Sequence, residues 1–447
     1  MIILHKATIV TSEKEAIGTI VVDNGSITDV YYSDNEDFDY RTDKLIRENP
    51  DAEVWNLEGK HIIAGGIDAH VHFREPGLTH KADMQTESKA AIAGGITSVF
   101  DMPNTSPATI SAERLKDKIQ HAKGRTAAKI GFHIGATNIN ASEIISLVRN
   151  GDPATGLKPE DIAGVKIFMG SSTGNMLVDE KETLDELFSI SAKPVLVHCE
   201  DEATIKANLA AAVEKYGEDI PFREHENIRS RRACIKSSIK ALELAIKHGT
   251  QLVLCHISTK EEIEMTRAAK ANNPGIIAET SCNYLWFSNE DYLTLGSRVK
   301  CNPSVKTPDD RKALRDALAN GLIDTIGSDH APHLLSEKDG SYVKAPSGLP
   351  SIQQSLPVLL TIAHEEDIPL TRIASVFSEK AADLYKLNRG KIKRGYEADL
   401  VIFDYEKEFI VRNEDQFSKC GWTPYDGVTL RGVIENVLID GIPVTLK

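Results

Sequence analysis

The chain has 447 residues, 41% hydrophobic and 26% charged, a globular balance that excludes disordered and fibrous classes. At roughly 150 residues per domain, this length allows about three domains or one large barrel with additions. With 52 Lys and Arg against 66 Asp and Glu, the net charge of −14 disfavours nucleic acid and anionic membranes as partners, but not a small anionic ligand in its own pocket.

Residues 1–60 read as short β runs, with Ala7–Val10 and Thr19–Val22 followed by the turn signal Asp23-Asn24-Gly25. Ser33 to Asp51 is charged and poor in apolar residues, so it reads as an exposed loop or short helix. From about Lys391 the β texture returns in Asp399–Phe403, Phe409–Val411 and Val433–Ile439. The two ends, 1–60 and 390–447, are therefore expected to form one small β-sandwich domain. Between them lie eight strand-like runs: Ile62–His70, Ile96–Met102, Ala128–Ala136, Gly164–Met169, Pro194–Cys199, Gln251–Ile257, Ile276–Ser281 and Asp324–Asp329. Helical stretches such as Ala112–Ala122, Glu202–Tyr216 and Lys260–Ala271 separate them. That alternation predicts an α/β fold, a (β/α)₈ TIM barrel over 61–389. A doubly wound open sheet is the alternative, but the chain offers no glycine-rich dinucleotide turn. The six cysteines (Cys199, Cys234, Cys255, Cys282, Cys301, Cys420) contain no CxxC pair. With no leader-like start and no run near the ~18 apolar residues of a membrane span, a reduced cytoplasmic protein is expected.

The chemistry-bearing residues sit at the strand ends. His70 and His72, at i and i+2 on one strand, face the same side and can converge on one ion. Strand four carries Lys166, strands five and six end in His198 and His256, and strand eight ends in Asp329. A lone strand histidine is more often a hydrogen-bonded core residue, and an HxH pair alone can be a surface accident. A lysine between Val165 and Ile167 is costly to bury unless its amine is neutralised or paired. Four histidines, a lysine and an aspartate in barrel order read together as a metal site. Arg74, two residues past His72, has the fork to grip a carboxylate; its ordinary reading is a surface ion pair. Glu279 reads either as a partner for a ligating histidine or as a strand-end ion pair.

These residues lie in segments that span nearly the whole chain: Asp68-Ala-His-Val-His-Phe-Arg-Glu-Pro-Gly77, Met102-Pro-Asn-Thr-Ser-Pro107, Gly164-Val-Lys166, Val197-His-Cys-Glu200, Cys255-His-Ile257 and Ser328-Asp-His-Ala-Pro-His333. With them the sequence resembles the amidohydrolase superfamily and, within it, the dihydroorotases. The resemblance implies His70, His72 and Asp329 at one Zn²⁺, His198 and His256 at a second, and an N6-carboxylated Lys166 bridging the two. It implies Asp329 as the catalytic acid and base in the reversible hydrolysis of dihydroorotate to N-carbamoyl-aspartate, a step of pyrimidine biosynthesis. It carries over Arg74, Asn104 and His333 as substrate-binding residues and, with less support, Asn302, Ser347 and Gly348. It leaves a homodimer open. Two segments depart from the family pattern: Ser281-Cys-Asn-Tyr-Leu285 stands where Pro-His-His-Leu is usual, and Ser351-Ile-Gln-Gln354 where Gly-Leu-Glu-Thr is usual. Allantoinases and dihydropyrimidinases are the nearest rivals, the former usually showing Asn-Glu-Pro-Gly where Arg74–Gly77 stands. A non-enzymatic scaffold would be expected to have lost ligands, and none is lost here.

Overall fold

The computed structural model describes residues 1–170 and 176–446. Its centre is a ring of eight parallel strands. They are Gly66–Val71, Ile96–Asp101, Lys129–Phe132 continuing as Ile134–Gly135, Val165–Phe168, Val195–His198, Leu252–Leu254, Ile277–Thr280 and Thr325–Ile326. Each pairs in parallel with the next. A bridge between Val71 and His330 closes the eighth strand onto the first. The strands are short and rich in Val, Ile and Leu because both of their faces are covered. All of Val165–Phe168 is buried, Lys166 included. The helices outside begin on clear caps. Asp83 accepts from the Thr86 N–H, while Thr259 with Glu262 and Thr307 with Asp310 form capping boxes.

The two chain ends form one eight-stranded sheet. Ile2–Val10 runs antiparallel to Glu15–Asp23, which turns through Asn24 (φ 47°) and Gly25 (φ 80°) into Ser26–Tyr32. That two-residue turn needs positive φ at both positions, which Asn-Gly supplies. The first strand is kinked at Lys6, and its halves pair separately with Glu53–Asn56 and His61–Ala64. His61–Ala64 then pairs with Leu400–Ile410 from the other end of the chain, which carries Thr429–Ile439 at its far edge. Leu4, Ile9, Ile20, Ile62, Leu400 and Leu438 fill the core beneath. Within the charged stretch 33–51, Phe38–Glu48 is a helix.

The strand expected over Ile62–His70 is two strands. His61–Ala64 belongs to the terminal sheet, and the barrel begins at Gly66. The break falls at Gly65, where a Cβ would lie 2.2 Å from Thr97 Oγ1, so only glycine lets the chain pass this close to the second barrel strand. All six cysteines are free and buried. Among the described residues, no helix is long and apolar enough to cross a membrane.

Candidate active site

The histidines and Asp329 meet at the carboxyl ends of the barrel strands. His70 and His72 leave the first strand with their ring centroids 5.5 Å apart. Each has its Nδ1 committed: His70 to Glu279 Oε1 at 2.7 Å, His72 to Asn104 Oδ1 at 2.7 Å. Because those oxygens accept, the rings present Nε2 inward, 3.5 Å and 3.0 Å from the same oxygen, Asp329 Oδ1. Across the barrel, His198 Nδ1 lies 2.9 Å from His256 Nε2, and the His256 ring stands 5.3 Å from that of His70. Donor atoms of His70, His256 and Asp329 all lie within 4.8 Å of one another. Lys166 Nζ, fully buried, touches Cys255 Sγ at 3.3 Å and has no carboxylate ion partner among the described residues.

Arg74 (φ 65°), His256 (φ 39°) and Asp329 (φ 48°) have left-handed backbones, so the chain turns sharply where it delivers these side chains. Burial holds the imidazoles of His70, His198 and His256 below the usual histidine range, with the Lys166 amine adding to the effect at each; they are neutral and available as ligands. Burial alone would raise Asp329, but its surroundings, the His70 and His72 rings foremost, place its pKa below the usual carboxylate range. Burial raises Glu279 and Asp68 to about 7. Two neutral imidazoles with facing nitrogens, two more aimed at one carboxylate oxygen, and a buried amine with no acid beside it fit a divalent metal centre of N and O donors. His256 Nδ1, buried without a hydrogen-bond partner, leaves that ring's other nitrogen as its functional one.

Arg74 lies on the same rim, 2% exposed. Its Nε donates to Pro332 O at 3.1 Å, and its Nη2 is 3.0 Å from His333 Nε2. Lys81 Nζ lies 3.0 Å from His333 Nδ1 and is anchored by Glu337 at 2.9 Å. His333 Nε2 also faces Ser347 O at 3.1 Å, so the ring stands between two cations. Among the described residues no carboxylate is within ion-pair reach of the Arg74 guanidinium. Burial lowers its pKa to about 10. Gly348 has both backbone groups engaged, its N–H on Lys300 O at 2.9 Å and its C=O on Lys338 Nζ at 3.0 Å. Asn302 carries a buried Oδ1 without a hydrogen-bond partner.

Residues 61–444 match the profile of the amidohydrolase family. The chain belongs to that family. It is similar to the dihydroorotase of Methanosarcina acetivorans, 34% identical over 422 residues that cover 92% of this chain and 84% of that one. An allantoinase from Desulfitobacterium hafniense is 29% identical over 405 residues, covering 88% and 86%. Among solved structures, the L-hydantoinase (dihydropyrimidinase) from Arthrobacter aurescens superposes with a TM-score of 0.87 at 24% identity, covering 99% of this chain and 95% of that one. The likeness to the hydantoinase is one of fold.

Several residues at this amidohydrolase site were not named from the sequence. Glu200, two residues past His198, lies 3.0 Å from His198 Nε2 and is paired with Arg229. His330, next to Asp329, is turned away: its Nε2 donates to the buried Glu87 at 2.7 Å and its Nδ1 accepts from the Ser351 N–H at 3.1 Å. Lys81, which lies 3.0 Å from His333 Nδ1, stands in a loop with no motif around it. Of these, only Glu200 and His330 carried a signal, their adjacency to expected ligands.

Proposed function

We propose that this amidohydrolase is a dihydroorotase, hydrolysing the cyclic amide of dihydroorotate reversibly to N-carbamoyl-aspartate. His70, His72 and Asp329 would hold one Zn²⁺ and His198 and His256 a second, with a carboxylated Lys166 as a shared ligand. Such a pair supplies an acidified water and a polarised ring carbonyl. Asp329 Oδ1, already facing His70 and His72, accepts the proton released as that water attacks and delivers it to the leaving amide nitrogen. In the reverse direction the same oxygen takes the amide proton as the ring closes. Glu279 and Asn104 keep the two HxH rings in the tautomer that leaves Nε2 as donor to the metal.

The observation that carries the substrate is Arg74. A buried guanidinium with no acid beside it is costly until an anion arrives, and dihydroorotate has a ring carboxylate where dihydrouracil has none. The Arg74 guanidinium, with His333 next to it, forms the fork for that group. The test is an absorbance assay with dihydroorotate, allantoin and dihydrouracil on wild type and Arg74→Met. A charged hydrogen-bonded pair contributes ~1.5–3 kcal/mol, so Arg74→Met should lose roughly 10–150-fold in kcat/KM for dihydroorotate, chiefly through KM, with metal content unchanged. Preference of the wild type for allantoin or dihydrouracil, or unaltered dihydroorotate kinetics in Arg74→Met, overturns the assignment.

A further inference from the structure

Two more buried cations lie near Arg74, and among the described residues neither has a carboxylate within ion-pair distance. Lys300 is 7% exposed and Lys338 1%. Lys300 Nζ donates to Tyr342 O and Ala345 O, both at 2.6 Å. Lys338 Nζ donates to Pro346 O at 2.8 Å, Gly348 O at 3.0 Å and Lys300 O at 3.2 Å. Glu337, the sequence neighbour of Lys338, is engaged with Lys81 instead. Together the two ammonium groups take up four carbonyls of one short segment, 342–348, and the N–H of Gly348 returns to Lys300 O at 2.9 Å.

That segment is a wall of the site. Ser347 O faces His333 Nε2 at 3.1 Å. Gly348, at φ 139°, packs so closely that a Cβ there would be 3.0 Å from His333 Cδ2 and 2.5 Å from Ala331 O. Leu349 then bridges His330, next to Asp329. A loop's carbonyls are ordinarily satisfied by water or neutral donors, whereas burying an unpaired ammonium is expensive. Burial, with the charge of Lys300 second, brings Lys338 down to about 7, and burial with Arg229 brings Lys300 to about 8. Two amines buried against the carbonyls of one segment, beside a guanidinium that also has no carboxylate within ion-pair reach among the described residues, have a use that neutral donors do not serve.

We propose that Lys300 and Lys338 are positioning residues, a cationic clasp that holds segment 342–348 and His333 against the ring pocket and adds to the field selecting a carboxylate-bearing ring. The substrate half of this proposal rests on the dihydroorotase reading; the clasp itself does not. The experiment uses metal-loaded full-length protein: wild type, Lys338→Met, Lys300→Met and the conservative Lys338→Arg. It combines steady-state kinetics on dihydroorotate with amide hydrogen exchange across 342–348 measured without substrate. The Met variants should raise KM about tenfold, with kcat changing much less and metal content constant, and should speed exchange in 342–348 by about tenfold. Lys338→Arg should recover part of both. Unchanged exchange overturns the clasp. Faster exchange with unchanged KM overturns its role toward substrate, as does a loss confined to kcat. If the wild type fails to turn over dihydroorotate, the substrate reading falls while the exchange data still decide the clasp. Should Lys338→Met fail to fold, Lys300→Met and Lys338→Arg carry both measurements.

Discussion

Asp329 combines a left-handed backbone, burial and contact with both HxH rings. Sparsely populated backbone states cost of order 1–3 kcal/mol and persist where surrounding contacts over-determine them. Here Ser328 N–H donates to Asp68 at 3.1 Å and His330 is fixed by Glu87, so the residue between them has little freedom. Asp329→Asn should keep the fold and most of the metal yet lose ~10²–10⁴-fold in turnover, the usual range for removing a positioned acid or base. Turnover and elemental analysis on one preparation check this, and a near wild-type rate would remove Asp329 from the chemistry. Lys166 makes a different prediction. Lys166→Ala should lose metal and activity together, with short carboxylic acids restoring part of both, because a carboxylate in its place can still join two cations. Metal retained in full would separate Lys166 from the centre. The identity of these residues was legible because a period of two and an apolar run ending in His or Asp are local patterns. The setting of His333 was not, since its neighbours Lys81 and Ser347 stand 252 and 14 residues away.

Among the elements, the seventh barrel strand supplies no expected metal ligand, yet its Glu279 binds His70 Nδ1 through a buried carboxylate. Of the two readings the sequence left open for Glu279, the contact with a candidate ligand is the one observed. Partners of this kind fix ring orientation and basicity, and their loss costs typically 10–100-fold in metal affinity. Glu279→Ala should therefore weaken metal binding by about that factor with the fold intact, read from competition with a chelator; undiminished affinity would reduce Glu279 to an ion pair. The same region explains the two departures from the dihydroorotase pattern, because they touch. Asn283, in the first, donates through Nδ2 to Ser351 Oγ, in the second, at 3.2 Å. Tyr425 donates to Asn283 Oδ1 at 3.0 Å, and Thr423 to Gln354 Oε1 at 3.0 Å. Two changes that looked independent in sequence are one polar network joining the barrel rim to the C-terminal segment. Helices that open on a side-chain N-cap, Ala112–Ala122 on Ser111 and Glu202–Tyr216 on Asp201, end where the pattern places them. The run Ile62–His70 misled because both of its halves are apolar, and the break at Gly65 is imposed by Thr97, a residue of the next strand.

At the scale of the whole molecule, the site is braced by the chain's far end. Lys419 N–H donates to Glu87 Oε1 at 3.0 Å, the same carboxylate group that holds His330, and Trp422 Nε1 donates to His333 O at 2.7 Å. That both ends form β structure was legible from texture. These bridges were not, because they join residues 332 and 89 positions apart.

Stability against pH follows from what this fold buries. All six thiols are enclosed, and burial raises every one: Cys420 to about 11, Cys234 and Cys301 to about 12, and Cys199, Cys255 and Cys282 higher still. In the unfolded chain they ionise near the ordinary ~8.5. Between those limits the native state binds more protons than the unfolded state, so stability falls as pH rises. Lys338 and Lys300 act in the opposite sense: lowered to about 7 and about 8, they bind fewer protons when folded, and stability from them grows up to the usual lysine range. From pH 7 to about 8.5 the lysines dominate and the trend is flat or slightly upward. Above that, six thiols outweigh two amines, and each net proton contributes about 1.4 kcal/mol per pH unit. Thermal midpoints of metal-saturated protein, taken under reducing conditions, should therefore drop progressively between about pH 8.5 and 10. Cys282→Ala should make the decline shallower, having one fewer thiol to ionise on unfolding. A midpoint that holds steady or climbs across that range would mean the thiols already ionise in the native protein, contrary to their enclosure.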